Sequence, residues 1–458
     1  MSRQRSPAFL GALGLFLGLL TVATFAAPRV TGFDPTSQSP HVSSTSFIRL
    51  TFNRPMDQVS VESRFATVPE VPGTLTWREN VLTFKPFSPW PLGSDITVSL
   101  APGARSTAFL PILSSLSWSF QIGGARVGYL WPSNGPAELY LQDVDDGVAV
   151  RVTETEAGVI DYSDAGSLIL YSALRGNGDS EIRSLNLSTG EDSLILECLE
   201  PARCQAPALA PNEQLLVYEQ FEWQSSESGQ RVPGVSEIRL LPLAADGAST
   251  AISPNGQSMT SPIWSPEGLL AFYNVSLGAI TLLEPADTQP VNIIPNGLGL
   301  LGSWSPDGQY LIVPEIVFPS ESGEGHDDQA EFFSHLYRLT ASSSEVIDLS
   351  SGMVEDASPA YSPDGSWIAF ARKYLDSRWT PGRQLWLMRS DATQARPLTD
   401  DPDFSHSSIA WSPNSAMLAY MRLNQADTNL QPEIWIMDLA EENHQLLVVG
   451  GYLPRWMP

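Results

Sequence analysis

Cysteine and positive charge are both scarce in this chain. Two Cys occur in 458 residues, and 25 Lys and Arg stand against 51 Asp and Glu, for a net charge of −26. Two thiols cannot build a disulfide-dense scaffold or a cysteine metal cluster. Such acidity repels phosphate backbones, and no basic stripe or Lys/Arg cluster interrupts it, so nucleic acid is excluded as a partner. The acidity itself reads as a solvated surface. Histidine is also rare: His41, His326, His335, His406 and His444. There is no His-Glu-x-x-His for zinc, no Gly-x-Ser-x-Gly nucleophile elbow and no Gly-x-x-x-x-Gly-Lys phosphate loop. With these constellations missing, neither catalysis nor a cofactor is expected.

Long apolar runs are missing except at the start. Arg3 and Arg5 precede 17 uncharged, mostly apolar residues from Phe9 to Phe25, and Thr24-Phe25-Ala26 offers small residues at a cleavage position. This is the pattern of an export signal over residues 1–27, either cut or kept as an anchor. No Cys follows it, which excludes lipid attachment through a signal cysteine. The expected location is extracellular, periplasmic or cell-surface, with membrane contact only through the N-terminal segment if it is retained. In an oxidising compartment Cys198 and Cys204 can close a small loop as a structural disulfide. Their spacing is not the Cys-x-x-Cys of redox sites.

Turn formers are plentiful, with 34 Gly and 37 Pro, and charged residues make up only 17%. That mix predicts an all-β protein. Residues 28–123 read as one small sandwich. Ile48, Leu50 and Phe52 alternate along one strand, and further strands are predicted at 74–77, 81–84, 96–100 and 117–120, separated by Pro, Gly and Asn clusters. About seven short strands in this length suit an Ig-like fold. Phe52-Asn53-Arg54-Pro55-Met56-Asp57, Leu92-Gly93-Ser94-Asp95-Ile96-Thr97-Val98 and Trp118-Ser119-Phe120 resemble segments of the bacterial Ig-like domain of the S-layer protein SbsA. Ile96 stands where that family usually has Tyr. The resemblance implies a spacer or adhesive module and no chemistry.

Residues 124–458 carry a repeat. Ser305-Pro306-Asp307-Gly308 and Ser362-Pro363-Asp364-Gly365 are intact copies of one tight turn. Degenerate copies start at Ser163, Ala210, Ser265 and Ser412. A large apolar residue precedes each turn: Tyr162, Leu209, Trp264, Trp304, Tyr361 and Trp411. Trp456 is the seventh, and the intervals are 47, 55, 40, 57, 50 and 45 residues. An apolar strand follows each turn, and a seventh such strand, 127–130, has no turn before it. The first repeat thus lacks its first strand and the last repeat is only a first strand. Pairing the C-terminal strand with the first blade would close a seven-bladed β-propeller and remove the open edge. Trp304-Ser305-Pro306-Asp307-Gly308, Ile368-Ala369-Phe370 and Leu385-Trp386-Leu387-Met388 resemble the TolB-type propeller repeat, over the whole C-terminal part. TolB itself has six blades and a different N-terminal domain, so its partners do not transfer. Similar propellers precede the hydrolase domain of prolyl oligopeptidases, and no such domain is recognised here.

The long variable segments, 221–236, 318–334, 373–383 and 423–432, are predicted between the second and third strands of their blades, on one face. They carry Phe221, Trp223, Phe318, Phe332, Phe333, Tyr374 and Trp379, aromatic anchors suited to protein or glycan contacts, or else covers for their own blade edges. The acidic loop 321–331, flanked by His326 and His335, lacks ordered ligand spacing and reads as solvated. Asp143-Val144-Asp145-Asp146-Gly147 reads as a hairpin turn, since its Gly falls one position early for a calcium loop. The sequence therefore predicts an exported, non-catalytic binding scaffold of the cell envelope or exterior. The alternative is a propeller glycoside hydrolase or lyase acting on extracellular polymer with paired carboxylates.

Overall fold

The computed structural model describes residues 27–457 except 39–41, 43, 45, 146, 167, 188, 227, 244–246, 253–255, 287–288 and 319–332. The export segment, His41, His326, Phe332 and the acidic loop lie outside the described residues. The chain divides between Gly123 and Gly124 into two compact units.

The first unit is a sandwich of seven strands: β1 (Val30–Asp34), β2 (Ile48–Phe52), β3 (Phe65–Val68), β4 (Gly73–Arg78), β5 (Val81–Pro86), β6 (Asp95–Leu100) and β7 (Leu116–Gln121). One sheet runs β1-β2-β5-β4 and the other β3-β6-β7. In chain order this is the ABED and CFG arrangement of constant-type Ig domains. Ile48, Leu50, Phe52, Leu82, Ile96, Val98, Trp118 and Phe120 fill the core, each at most 5% exposed. Two buried indoles still find acceptors: Trp90 Nε1 donates to Ser46 O at 2.8 Å and Trp118 Nε1 to Pro35 O at 3.0 Å. The Pro-Met-Asp segment has a structural use. Met56 is buried, and the Asp57 carboxylate caps a one-turn helix α1 (Gln58–Glu62) by accepting the Ser60 N–H at 3.1 Å.

The second unit is a seven-bladed β-propeller. Seven blades built on four strands each follow one another, the second to seventh spanning 159–198, 202–251, 259–295, 303–348, 354–397 and 404–449; the third carries a fifth strand, and the fifth and sixth join in one eight-stranded sheet. The first consists of Arg126–Trp131, Glu138–Asp143 and Ala149–Arg151, completed by the C-terminal Tyr452–Met457. Met457 lies opposite Arg126, and Tyr452 opposite Leu130, so the ends of the repeat close the ring. Blades five and six are additionally bridged where Ser334 meets Glu355.

Each repeated feature has a place in this frame. The second strands bury Tyr171, Tyr218, Phe272, Phe370 and Tyr420 at one register, all at most 2% exposed. The preceding Tyr162, Trp304, Tyr361, Trp411 and Trp456 are buried, while Leu209 and Trp264 are half-buried. Tyr162, Leu209, Trp264, Trp304, Tyr361 and Trp411 sit in apolar clusters formed by neighbouring blades. In the turns the Ser hydroxyl does as much as Asp. Ser305 Oγ donates to Asp307 Oδ1 at 2.6 Å and accepts the Tyr310 N–H at 2.9 Å, and Ser362, Asp364 and Trp367 repeat the arrangement. Gly308 and Gly365 close these turns at φ of 68° and 72°, in the left-handed region.

Candidate functional site

The Ser-Pro-Asp-Gly turns join first to second strands and lie at one end of the propeller. Hairpins between second and third strands emerge at the other. The longest described one belongs to the third blade. Its second strand, Leu215–Ser225, runs on to pair with an extra strand, Arg231–Pro233.

This extension builds a stack of cations on an indole. Trp223 is half-buried, with Phe221 edge-on at 5.2 Å. The Arg203 guanidinium lies 5.4 Å from the Trp223 ring centre and that of Arg231 5.2 Å. Arg231 comes from the extra strand. Arg203 comes from the first strand of the same blade, within the loop closed by the disulfide between Cys198 and Cys204. Glu200, in that loop, is ion-paired to Arg231. Burial lowers the Arg203 pKa from its usual range, and the like charge of Arg231 adds to this, while Glu200 opposes it.

The sixth blade carries a second group. Tyr374 packs edge-on against Trp386 at 5.9 Å, with the Arg378 guanidinium 3.5 Å from its ring centre. Arg378 is also forked onto Asp376. Trp379 is 58% exposed, with Lys373 Nζ 5.8 Å away. Lys373 and Arg383 both pair with Glu355, and the neighbouring Asp356 takes Arg372 through two bonds of 2.7 and 2.6 Å. In the fifth blade Phe318 is 69% exposed. Phe333 stacks on His335, whose ring nitrogens meet Asp348 at 2.8 Å and Gly352 O at 2.9 Å.

The aromatics expected to be exposed therefore divide. Phe221 is buried, at 9%, because the register places it opposite Arg203 and inside the blade; its assignment as a surface anchor is corrected. Trp223, Phe333 and Tyr374 are half-buried under cations or rings. Phe318 and Trp379 face solvent. Sequence reasoning passed over Arg203 and Arg231, whose one signal was an Arg between the cysteines and another ten residues beyond Phe221.

A different set of polar groups joins the blades near the first strands. Asp161 Oδ2 accepts the Ala206 N–H at 2.6 Å and Asp161 Oδ1 accepts from Ser172. Glu219 accepts from Ser261 N and from Gln205 Nε2 at 3.1 Å. Burial raises the pKa of both, and the Asp161 charge adds to the rise at Glu219. Each carboxylate thus spans to the next blade. Among the described residues no group of three or more His, Cys, Asp or Glu is placed to hold a metal ion. Asp143 and Gly147 close a hairpin, with the Gly147 N–H on Asp143 O at 3.1 Å. Among the described residues no helix is long and apolar enough to cross a membrane.

Fold and loops together define a two-unit all-β chain, an Ig-like sandwich followed in the chain by a seven-bladed propeller. Residues 25–122 match the family of the bacterial Ig-like domain. The chain is similar to the structure of a putative TolB from Agrobacterium tumefaciens, with 19% identity and a TM-score of 0.41 over 63% of this chain and 99% of that one. It is also similar to puromycin hydrolase, with 13% identity and a TM-score of 0.50 over 70% of this chain and 52% of that one. In sequence, 129 residues are 27% identical to dipeptidyl-peptidase 5 of Porphyromonas gingivalis, covering 28% of this chain and only 18% of that peptidase. At these identities the likeness concerns the fold.

Proposed function

We propose that the protein is an exported, non-catalytic binding scaffold, with the loop face of the propeller holding a protein or glycan of the cell envelope or exterior. The Ig-like unit serves as spacer or second contact. The observation that carries this is the placing of extended hairpins on one face of a rigid ring, with exposed Phe318 and Trp379 and the cation-covered Trp223 upon them. The export-type leader and the Cys198–Cys204 disulfide support passage to an oxidising compartment.

A second reading is a propeller hydrolase or lyase acting on extracellular polymer, favoured by the half-buried Asp161 and the buried Glu219, both with raised pKa. Against it, both are engaged by backbone N–H groups of the next blade. The test is capture of partners from envelope extract by the parent and by a variant with Trp223, Phe318 and Trp379 changed to Ala, folding of both checked by circular dichroism and melting. A partner held by the parent and lost by the folded variant supports the loop face. Equal capture by both, or polymer cleavage that disappears in Asp161→Asn, overturns it.

A further inference from the structure

The disulfide loop and the third-blade hairpin come from different parts of the blade series yet converge on one indole. Cys198 ends the last strand of blade two and Cys204 lies in the first strand of blade three. The bond between them fixes Glu200 and Arg203 beside the hairpin. Arg203 pairs in register with Phe221, and Trp223 lies two residues on, hence on the same side of the strand. Glu200 is taken by Arg231. Among the described residues no carboxylate stands within ion-pair distance of Arg203, and its Nε is buried with no acceptor. Two guanidiniums against one carboxylate leave an excess positive charge on a chain whose net charge is −26. An unpaired, partly desolvated cation is costly to keep for folding alone.

The geometry points to Arg203 and Arg231, held on Trp223, as the receptor for a carboxylate of an acidic peptide segment of the partner; this rests on the loop-face reading. A guanidinium offers parallel N–H donors that match a carboxylate, and the indole beneath fixes its plane. Leu199, Val232 and Val235, which are 63%, 37% and 47% exposed, lie on the same disulfide loop and hairpin. They suit apolar side chains next to the acid. The cations also occupy the indole surface on which a sugar ring would stack.

The probe is a fluorescein-labelled peptide of alternating Glu and Leu, titrated into the full chain. Polygalacturonate and inorganic phosphate serve as competitors. The expected result is saturable binding that falls about tenfold in Arg203→Gln, falls less in Arg231→Gln and weakens with salt. Arg203→Gln is expected to melt no lower than the parent, because it removes an unpaired charge. A variant that melts lower yet binds the peptide like the parent marks Arg203 as structural and overturns the proposal. So does absence of binding, tighter binding of polygalacturonate than of peptide, or displacement by phosphate as effective as by unlabelled peptide. Failure here separates from failure of the loop-face reading. An envelope partner lost with Trp379 but kept by Arg203→Gln sinks only this site. A peptide bound through Arg203 while envelope capture ignores the loop variants sinks only the wider reading.

Discussion

Asp161 in the second blade accepts the backbone N–H of Ala206 in the third at 2.6 Å. Ala206 needs that acceptor. It lies at a register break in its strand with φ of 51°, and Ser261, Ser358, Ser408 and Leu453 hold the same left-handed bulge, each three residues before the large residue of its blade. Glu219 repeats the contact one blade on, with Ser261. These carboxylates are parts of the ring before they are candidates for chemistry.

A consequence follows for Asp161. Its folded pKa is raised by burial above the ordinary carboxylate value. The folded state therefore holds the proton more tightly, and the stability contributed by this group is complete below the unfolded pKa and lost as pH rises through the folded one. Asp161→Asn can keep the acceptor for Ala206 without the charge. It is expected to be at least as stable as the parent at pH 7 and to lose that advantage near pH 4. Asp161→Ala leaves a buried N–H unpaired and should cost about 1–3 kcal/mol. Urea midpoints at the two pH values check both.

The ring was legible because six of its seven blades repeat a turn whose residue types are dictated by backbone geometry. The third strand of blade four, Ala279–Leu283, carries no such mark. All five residues are buried, so the apolar-polar alternation that betrays the other third strands is missing. In the sandwich, β1 and β3 are short and interrupted by polar residues, and neither appeared among the predicted strands. The site was less legible than the fold. Whether Phe221 and Trp223 face out depends on register against Ala202–Leu209, and Arg203 meets Trp223 only through that pairing. Such contacts between residues twenty positions apart leave no periodic signal in one sequence.

His406 makes an acid-sensitive joint between blades six and seven. Its Nδ1 meets Arg383 O at 2.7 Å, and its Nε2 is buried without a partner among the described residues. Burial pushes its pKa down to about 4, with Arg422 and His444 adding to the fall and the Arg383 carbonyl and Asp401 opposing it. The unfolded chain therefore binds the extra proton first, near pH 6.5. Stability from this group is present above that value and declines as pH falls towards 4, by about 3 kcal/mol in all. His406→Gln should flatten this part of the stability profile while the Asp161 contribution, of opposite sign, remains.

The tryptophans of the blades are not equivalent. Trp264, Trp411 and Trp456 donate their indole N–H to Ala208, Ala360 and Ala410 of the preceding blade at 3.1, 3.0 and 3.1 Å. Trp304 is as deeply buried as Trp411, both at 8% exposed, but its indole nitrogen has no partner among the described residues. Both Phe replacements shrink the ring alike, so their difference isolates the bond. Trp411→Phe is expected to cost about 1 kcal/mol more than Trp304→Phe in equilibrium unfolding. Equal costs would mean that water serves the Trp304 nitrogen as well as Ala360 serves Trp411.

The Cys198–Cys204 bond joins residues six apart, across the connection from blade two to blade three. A loop this short constrains the unfolded chain modestly, so its removal should cost about 2 kcal/mol. Its larger effect is local. Without it, Glu200 and Arg203 are still tied to the hairpin by the strand pairing of Ala202 and Arg203 with Glu222 and Phe221, by the Trp223 N–H on Pro201 O at 2.9 Å and by the ion pair of Glu200 to Arg231, so the loop loosens locally and does not detach. The double variant Cys198→Ser, Cys204→Ser is therefore expected to keep its fold by circular dichroism and lower its urea midpoint slightly. Proteolytic nicking should rise selectively in the 199–203 segment. If the midpoint collapses while nicking spreads evenly through the propeller, the bond holds the ring together and does more than present one loop.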